Sequence, residues 1–319
     1  MRIALITPYG REHRNGNWHT ASRWARFLRE AGHTVRVQVE WDGRSADLML
    51  ALHARRSFAS IRGFAERYPT RPLIVTLTGT DLYRDIHEDP DAQQALEWAH
   101  RIIVLQERGL DELAPNLAAK TRVIYQSAPD IARQPAPPHA FEVLVIGHLR
   151  AEKDPFRAAL ATAYLPEHSR IRVTHLGSAL SEDMAETAEM AQAKLPRWHW
   201  RGDVPHKTVL KHLSRAHLMV ISSVMEGGAN VICEALAAGV PVLASEMPGN
   251  VGMLGEDYPG YFPVGDERRL AALMAMAEND PSFLAELASH ARQRRALMRP
   301  EQEASRLRQA VAEFEQTSG

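Results

Sequence analysis

The stretch that decides the fold is Leu218–Ser245, "LMVISSVMEGGANVICEALAAGVPVLAS". The short apolar run "LMVISS" predicts a strand, "VMEGGA" a loop, and "NVICEALAAG" a helix that ends at Gly239. "PVLAS" then predicts the next strand. A strand, a loop, a helix and a second strand in this order indicate an α/β chain with a parallel sheet.

The same alternation fills both halves of the 319-residue chain. In the first half, "RIALITP", "TVRVQVE", "ADLMLAL", "LIVTLTG", "RIIVLQ" and "TRVIYQS" predict strands, and "TASRWARFLREAGH" predicts a helix ended by Gly32. The stretch "APDIARQPAPPHAFE" (128–142) contains four prolines, which disfavour helices and central strands, so it predicts a linker. After it, "EVLVIGHL", "IRVTHLG", "WHWRG", "LMVISS" and "PVLAS" predict the strands of a second domain.

We therefore predict two Rossmann-like domains, at 1–133 and 140–300, with a ligand-binding cleft between them. The tail 301–319 spaces Leu307, Val311 and Phe314 on one helical face, so we expect a closing helix that packs onto the body of the protein.

Composition narrows the class of protein. The net charge is −1, which gives no reason to expect a nucleic-acid partner or stable membrane association. Cys233 is the single cysteine, so an internal disulfide is excluded and a reducing compartment is favoured. The N-terminal apolar run is too short for a signal peptide. We expect a cytoplasmic protein.

Two carboxylates, Glu226 and Glu234, flank the glycines of the opening stretch. Gly227 and Gly228 allow backbone N–H groups to approach an anion, and the following helix begins with unpaired N–H groups and a positive dipole end. Ionised carboxylates only accept hydrogen bonds, so near a diphosphate they are useful where they face hydroxyl groups. A nucleotide sugar has phosphates in the middle and hydroxyls at both ends.

The Glu-x7-Glu pattern "EGGANVICE", followed by "ALAAGVPVLAS", resembles the signature of family-4-like glycosyltransferases of the GT-B fold. The resemblance implies that Glu226 contacts the donor sugar and that Glu234 binds the ribose. It also implies that the loop and the helix start hold the phosphates and the sugar, through Gly227, Gly228, Ala229 and Asn230.

A second segment, "VLVIGHLRAEKDP", resembles the strand end that supplies cations to the leaving diphosphate in this family. Lys153 occupies the lysine position, His148 stands where an arginine is usual, and Arg150 can replace that charge. Glu226, Lys153 and Arg150 are therefore the predicted catalytic residues. In "WHWRGDVPH", Arg201 and Val204 are candidates for contacts with uracil. No metal and no cofactor is expected besides the UDP-sugar co-substrate.

In the first half, "PYGREHRNGNWHTASRW" resembles the family's glycine-rich loop between the first strand and the first helix. The resemblance places Gly16 and Asn17 near the donor and Asn15 and Thr20 near the acceptor, while His13, Arg14 and His19 add positive charge.

The acceptor region is predicted from two further strand ends. In "VTLTGTDLY", Thr78 stands where family members often have a histidine, and Thr80 and Asp81 follow it. A threonine cannot act as a base near neutral pH, which favours an acceptor that is already ionised. "LALHARRSF" adds His53, Arg55 and Arg56 as an anion-binding group.

Together, "NGNWHTA", "LHARRS", "TLTGTDLY" and "GHLRAEKDP" are similar to the selenosugar synthases of selenoneine biosynthesis. This resemblance implies UDP-N-acetylglucosamine or UDP-glucose as donor, selenophosphate as acceptor, and functional coupling to a selenophosphate-producing enzyme.

Two alternatives stay open. One is a conventional GT-B glycosyltransferase that uses a UDP-sugar and a hydroxyl acceptor, with Asp81 or His19 as the base. The other is a non-catalytic nucleotide-sugar-binding protein, which would need Glu234 and the glycine loop but neither Glu226 nor Lys153.

Overall fold

The computed structural model describes residues 1–11 and 16–315. The chain divides into two compact units. The first unit comprises Met1–Ser127, Glu226–Ala229 and Met298–Gly319, and the second comprises Ala128–Met225 and Asn230–Leu297. The limits at residues 133, 140 and 300 remain predictions.

The first unit contains one parallel sheet of six strands. They are β1 (Arg2–Ile6), β2 (Thr34–Gln38), β3 (Leu48–Leu52), β4 (Leu73–Thr76), β5 (Arg101–Val104) and β6 (Thr121–Val123). Their order is β2-β1-β3-β4-β5-β6, so the direction of winding reverses between β1 and β3. Open α/β sheets bind ligands at the carboxyl ends of the strands beside such a switch point.

The strands of the first unit are connected mainly by helices. These are α1 (Gly16–Glu30), α2 (Phe58–Arg67), α3 (Ile86–Glu88), α4 (Pro90–Trp98) and α5 (Pro115–Ala119). A π-helical turn, Asp81–Asp85, immediately precedes α3. This matters for the site because π-helical turns are frequent at functional positions.

The second unit has its own six-stranded parallel sheet. Its strands are β7 (Phe141–Ile146), β8 (Ile171–Leu176), β9 (Trp198–Trp200), β10 (Leu218–Ile221), β11 (Val242–Ser245) and β12 (Tyr261–Phe262). The order β12-β11-β10-β7-β8-β9 is that of a Rossmann fold, with the switch point between β7 and β10.

The remaining helices complete the chain. They are α6 (Arg157–Ala161), α7 (Glu182–Lys194), α8 (His206–Arg215), α9 (Asn230–Ala237), α10 (Pro248–Leu254), α11 (Glu267–Asn279), α12 (Pro281–Arg295) and α13 (Pro300–Ala312). All eleven predicted strands are present, most of them shorter than the apolar run that predicted them. β12 was not predicted, because two residues carry no periodicity. The described segment 128–140 contains no helix or strand, as its prolines predicted.

Helix α9 ends at Ala237, and Gly239, which the sequence predicted as its C-terminal stop, lies two residues beyond it. Gly239 has a φ of +63°, which glycine adopts at little steric cost. Its N–H donates to the Leu236 carbonyl at 3.1 Å, and the Val240 N–H donates to the Ala235 carbonyl at 2.8 Å. These two bonds form a Schellman cap, which satisfies carbonyls that the helix leaves unpaired.

The predicted closing helix is confirmed as α13, which packs against α1 within the first unit. Leu307 and Val311 are fully buried in the same apolar cluster as Trp24 and Leu28 of α1, and Phe314 packs at its edge. Each buried aliphatic side chain of this size contributes about 1.5–3 kcal/mol, so this face alone explains why the tail docks.

Candidate functional site

The second unit presents a polar edge at its switch point. Gly147 and His148 follow β7, while Ser222 and Ser223 follow β10. Together with Lys153, these residues line a small cavity at the carboxyl ends of the two strands. The geometry therefore brings the motif "GHLRAEKDP" next to Ser222 and Ser223, the first residues of "SSVMEGGANVICE", at the edge where a Rossmann-type sheet binds ligands.

Hydrogen bonds hold the Lys153 segment against the end of β10. The Ser222 hydroxyl donates to the carbonyls of Lys153 at 3.2 Å and Asp154 at 2.9 Å, and the Val224 N–H donates to the Glu152 carbonyl at 3.0 Å. Asp154 has a left-handed backbone with φ +42°, which reverses the chain after Lys153. Lys153 is half-buried and Arg150 is exposed. The two predicted cations therefore belong to a turn that these hydrogen bonds hold in place.

His148 differs from the arginine that the family pattern led us to expect. Its Nδ1 accepts the Ser178 N–H at 3.1 Å, and burial lowers its pKa. A neutral His148 therefore carries its proton on Nε2, where it can donate one hydrogen bond to an anion. His148 therefore offers one neutral N–H donor where an arginine would offer a charged guanidinium group with several donors.

Helix α9 positions Glu234, the second glutamate of the motif. Glu234 lies on the second turn of the helix, and its Oε1 is 2.7 Å from Nε2 of His206, the first residue of α8. The hydrogen bond to Glu234 raises the pKa of His206, although burial opposes the effect. Sequence reasoning gave His206 no role, since 28 residues separate it from Glu234.

The glycine loop 226–229 belongs to the first unit, and close packing explains its glycines. A Cβ added to Gly227 would lie 2.4 Å from the Thr78 carbonyl carbon and oxygen, and one added to Gly228 would lie 2.5 Å from the Leu105 Cβ. Real Cβ atoms essentially never come this close. Glu226, which precedes this contact, is half-buried.

At the switch point of the first unit, the end of β3 brings cations to the carboxyl edge of the sheet. His53 is 3% exposed and has a left-handed backbone, with φ +70°. Arg55 and Arg56 follow it and are exposed. Arg55 pairs with Asp85 at 3.1 Å, and the Arg56 guanidinium lies over the ring of Tyr9 at 5.1 Å from its centroid. Tyr9 follows β1, the other strand that borders the switch point.

Asp81 connects the ends of β3 and β4. Its fully buried carboxylate accepts the N–H groups of Ala54 at 3.1 Å and of Thr78 and Gly79 at 2.9 Å. Three backbone N–H groups therefore donate to this one carboxylate. The structure gives Asp81 a role in holding two loops together, and its contact with an acceptor, or its service as a base, remains a prediction.

His53 and Thr80 form the polar surface above Asp81. The Nδ1 of His53 accepts the Arg56 N–H at 3.3 Å, so the N–H group that the ring can donate is at Nε2. Nε2 is 3.0 Å from the Thr80 hydroxyl oxygen and donates to it. The Thr80 hydroxyl then keeps its own proton for donation to another group, which suits an anionic partner.

Several other predicted residues lie elsewhere. Asn15, His13 and Arg14 fall outside the described residues. Gly16 and Asn17 begin α1. Thr20 is 1% exposed, and its hydroxyl donates to the Gly16 carbonyl and accepts from Gln126, so it packs inside the unit and direct acceptor contact has no support here.

The predicted uracil contacts divide between two environments. Val204 is half-buried in the loop before α8, and Arg201 is exposed and lines a larger cavity beneath α8. Contact of either residue with uracil remains a prediction.

Two further observations concern a metal site and a membrane-spanning helix, neither of which the sequence predicts. Across residues 1–11 and 16–315, no group of three or more His, Cys, Asp or Glu side chains is arranged to hold a metal ion. Within the same ranges, no helix combines the length and apolar character needed to cross a membrane. Metal independence and cytoplasmic location remain predictions.

Comparison with known structures shows chains of the same fold. HepE from Anabaena, in complex with UDP and glucose, has a TM-score of 0.78 and 18% identity over 98% of this chain and 100% of its own. Sucrose-phosphate synthase from Thermosynechococcus elongatus has a TM-score of 0.82 and 18% identity over 100% of both chains. The lipopolysaccharide outer core galactosyltransferase WaaB, in its apo form, has a TM-score of 0.70 and 10% identity over 98% of this chain and 99% of its own.

Comparison with curated protein sequences gave no significant match. The sequence profile of the family "Glycosyl transferases group 1", however, matches residues 128–294, which is more than half of the chain. With its two Rossmann-like domains of the GT-B type, the chain belongs to the group 1 family of glycosyl transferases.

Proposed function

We propose that this glycosyltransferase moves a sugar from UDP-N-acetylglucosamine, or UDP-glucose, to selenophosphate and forms a carbon–selenium bond. A UDP-sugar donor is supported by HepE, which has the same fold and is known in complex with UDP-glucose. The Glu-x7-Glu resemblance and the polar edge of the second unit support it independently.

The donor is bound by residues with separate tasks. Glu234 accepts hydrogen bonds from the ribose hydroxyls, with one carboxylate oxygen engaged by His206. Lys153 and Arg150 neutralise the diphosphate, and His148 donates to it through Nε2. Neutralising the developing charge of UDP lowers the barrier to its departure. Glu226 orients the hexose.

The acceptor assignment depends on the donor groups at the ends of β3 and β4. Arg55 and Arg56 carry exposed guanidinium groups, and Thr80 keeps its hydroxyl proton for donation because His53 occupies its oxygen. These groups match the phosphate oxygens of selenophosphate. Its selenium is soft and already anionic in character, so no base is needed to activate it.

The reaction balances in two steps. Selenium attacks C1 of the sugar while the bond from C1 to the UDP oxygen breaks, which releases UDP. Water then cleaves the phosphorus–selenium bond and gives phosphate and the 1-selenosugar.

The observation that supports an anionic acceptor most directly is the hydrogen bond of 3.0 Å from His53 to Thr80. The test is to incubate the protein with selenophosphate and each UDP-sugar, and to measure released UDP and selenium-containing sugar by mass spectrometry. Thr80→Val and Arg56→Gln should raise the KM for selenophosphate and leave slow hydrolysis of the UDP-sugar unchanged. Turnover on a simple alcohol with none on selenophosphate would reject the acceptor and keep the glycosyltransferase assignment.

A further inference from the structure

The second unit contains a cavity of about 450 Å³, and Arg201 is the one described residue of its lining that is also a candidate for the donor site. It lies between one face of the sheet and α8. Glu142 of β7 pairs in register with Arg172 of β8, and Thr174 lies two residues further along the same face. Lys211 and Arg215, which are four residues apart, come from α8.

Most of the charged side chains that line this cavity are positive. Arg172, Arg201, Lys211 and Arg215 line it, against Glu142 as the acidic residue of the lining. Within the described residues, none of these four cations has a salt bridge or a side-chain hydrogen bond. Burial raises the pKa of Glu142 in spite of the three arginines nearby, and burial together with Arg201, Lys211 and Arg215 lowers the pKa of His212.

Apart from Arg201, which follows the carboxyl end of β9, the lining of the cavity lies away from the donor edge of the same unit. Glu142 and Arg172 are the second residues of β7 and β8, near the amino ends of these strands. Gly147, His148 and Lys153 follow the carboxyl end of β7. The cavity volume falls in the range of ligand pockets, about 300–1,000 Å³, and the apolar side chain of Leu144, which shares a face of β7 with Glu142, forms part of its wall.

We propose that this cavity is a second binding site, for a small organic molecule that carries two or more clustered phosphates. Arginine forks and a lysine bind phosphate oxygens, and the hydroxyls of Thr174 and Thr208 add neutral donors. Leu144 contacts the carbon part of the ligand, and Glu142 accepts from its hydroxyl groups. This site goes beyond the proposed transferase reaction and does not depend on it.

The test is calorimetric titration with inorganic triphosphate and pyrophosphate at fixed ionic strength, with the donor site saturated by UDP. Binding should persist under UDP and should fall at least tenfold in the variant Arg172→Gln/Lys211→Gln/Arg215→Gln. Lys194→Gln/Arg269→Gln/Arg292→Gln removes the same charge from exposed positions of the same unit and should leave binding unchanged. Citrate, in a parallel titration, should bind at least tenfold more weakly than triphosphate.

Three outcomes would overturn the site: no heat of binding under UDP, equal loss in both triple variants, or citrate binding as tightly as triphosphate. Circular dichroism and thermal unfolding of each variant exclude loss of the fold as the cause. A failure here leaves UDP release in the transferase assay unaffected, so the two proposals are tested independently.

Discussion

His206 and Glu234 are joined by a hydrogen bond of 2.7 Å between the first residue of α8 and the second turn of α9. The Glu234 side chain is 15% exposed, and the His206 side chain is 52% exposed. The bond fixes one oxygen of the carboxylate and leaves the other to accept from a ligand. His206 is thus a positioning residue for the glutamate to which we assign the ribose.

This assignment predicts a separation between binding and catalysis. Glu234→Ala should weaken UDP binding about tenfold to a hundredfold, because hydrogen bonds to a charged group contribute about 1.5–3 kcal/mol. Glu226→Gln should keep UDP affinity within about twofold and lower kcat, since this residue is assigned to the hexose. Titration with UDP and steady-state kinetics measure the two effects. Unchanged UDP affinity in Glu234→Ala would contradict the ribose assignment.

The same pair predicts a pH-dependent contribution to stability. The bond raises the pKa of His206 above 6.5, its ordinary value. A group whose pKa is raised by folding stabilises the protein fully below its unfolded pKa, and this stabilisation is lost as the pH rises through the folded pKa. The Tm difference between wild type and His206→Gln should therefore be largest near pH 5 and shrink above neutrality. A difference that grows with pH would contradict the pairing.

The contact at Gly227 predicts a steric effect. Gly227→Ala should destabilise the protein by about 1–3 kcal/mol, because its Cβ would overlap the Thr78 carbonyl and the backbone must shift. Gly79→Ala is the matched control, since its Cβ would meet the Gly227 nitrogen at an ordinary 3.6 Å. Urea unfolding measures both. Equal stability of the two variants would show that the loop does not pack as described.

Replacing Asp81 distinguishes a structural role of this residue from a role as a base. Asp81→Asn should cost about 2–4 kcal/mol, because an amide cannot accept from all three backbone N–H groups and leaves some of them unpaired. Exposed Asp257→Asn should change stability by less than about 0.5 kcal/mol. If Asp81→Asn instead kept full stability and lost turnover on a hydroxyl acceptor, the conventional glycosyltransferase mechanism would be favoured.

A buried carboxylate on the closing helix adds to its apolar contacts. Glu303 is 1% exposed and accepts from Trp24 at 2.7 Å, from Arg23 at 2.8 Å and from Ser127. Glu303→Ala should destabilise the first unit by about 3–5 kcal/mol, because it leaves Arg23 without its buried partner. Unfolding at a lower urea concentration, followed by tryptophan fluorescence, would report the loss of stability. Exposed Glu301→Ala, on the same helix, is the control.

The sequence alone predicted most of the strands of this protein, their order along the chain and the motifs of the donor site. Apolar runs fixed eleven strands, and Gly239 fixed the end of α9, because both signals depend on residues close together in the chain. The Glu-x7-Glu spacing and Lys153 likewise predicted the donor motifs.

Tertiary structure decided which distant residues meet. It paired His206 with Glu234 across 28 residues, turned the carboxylate of Asp81 onto backbone N–H groups, and gathered Arg172, Arg201, Lys211 and Arg215 around one cavity. Local periodicity cannot reveal such groupings. They depend on strand order and on which face of a sheet a helix covers, and the packing of the whole unit settles both.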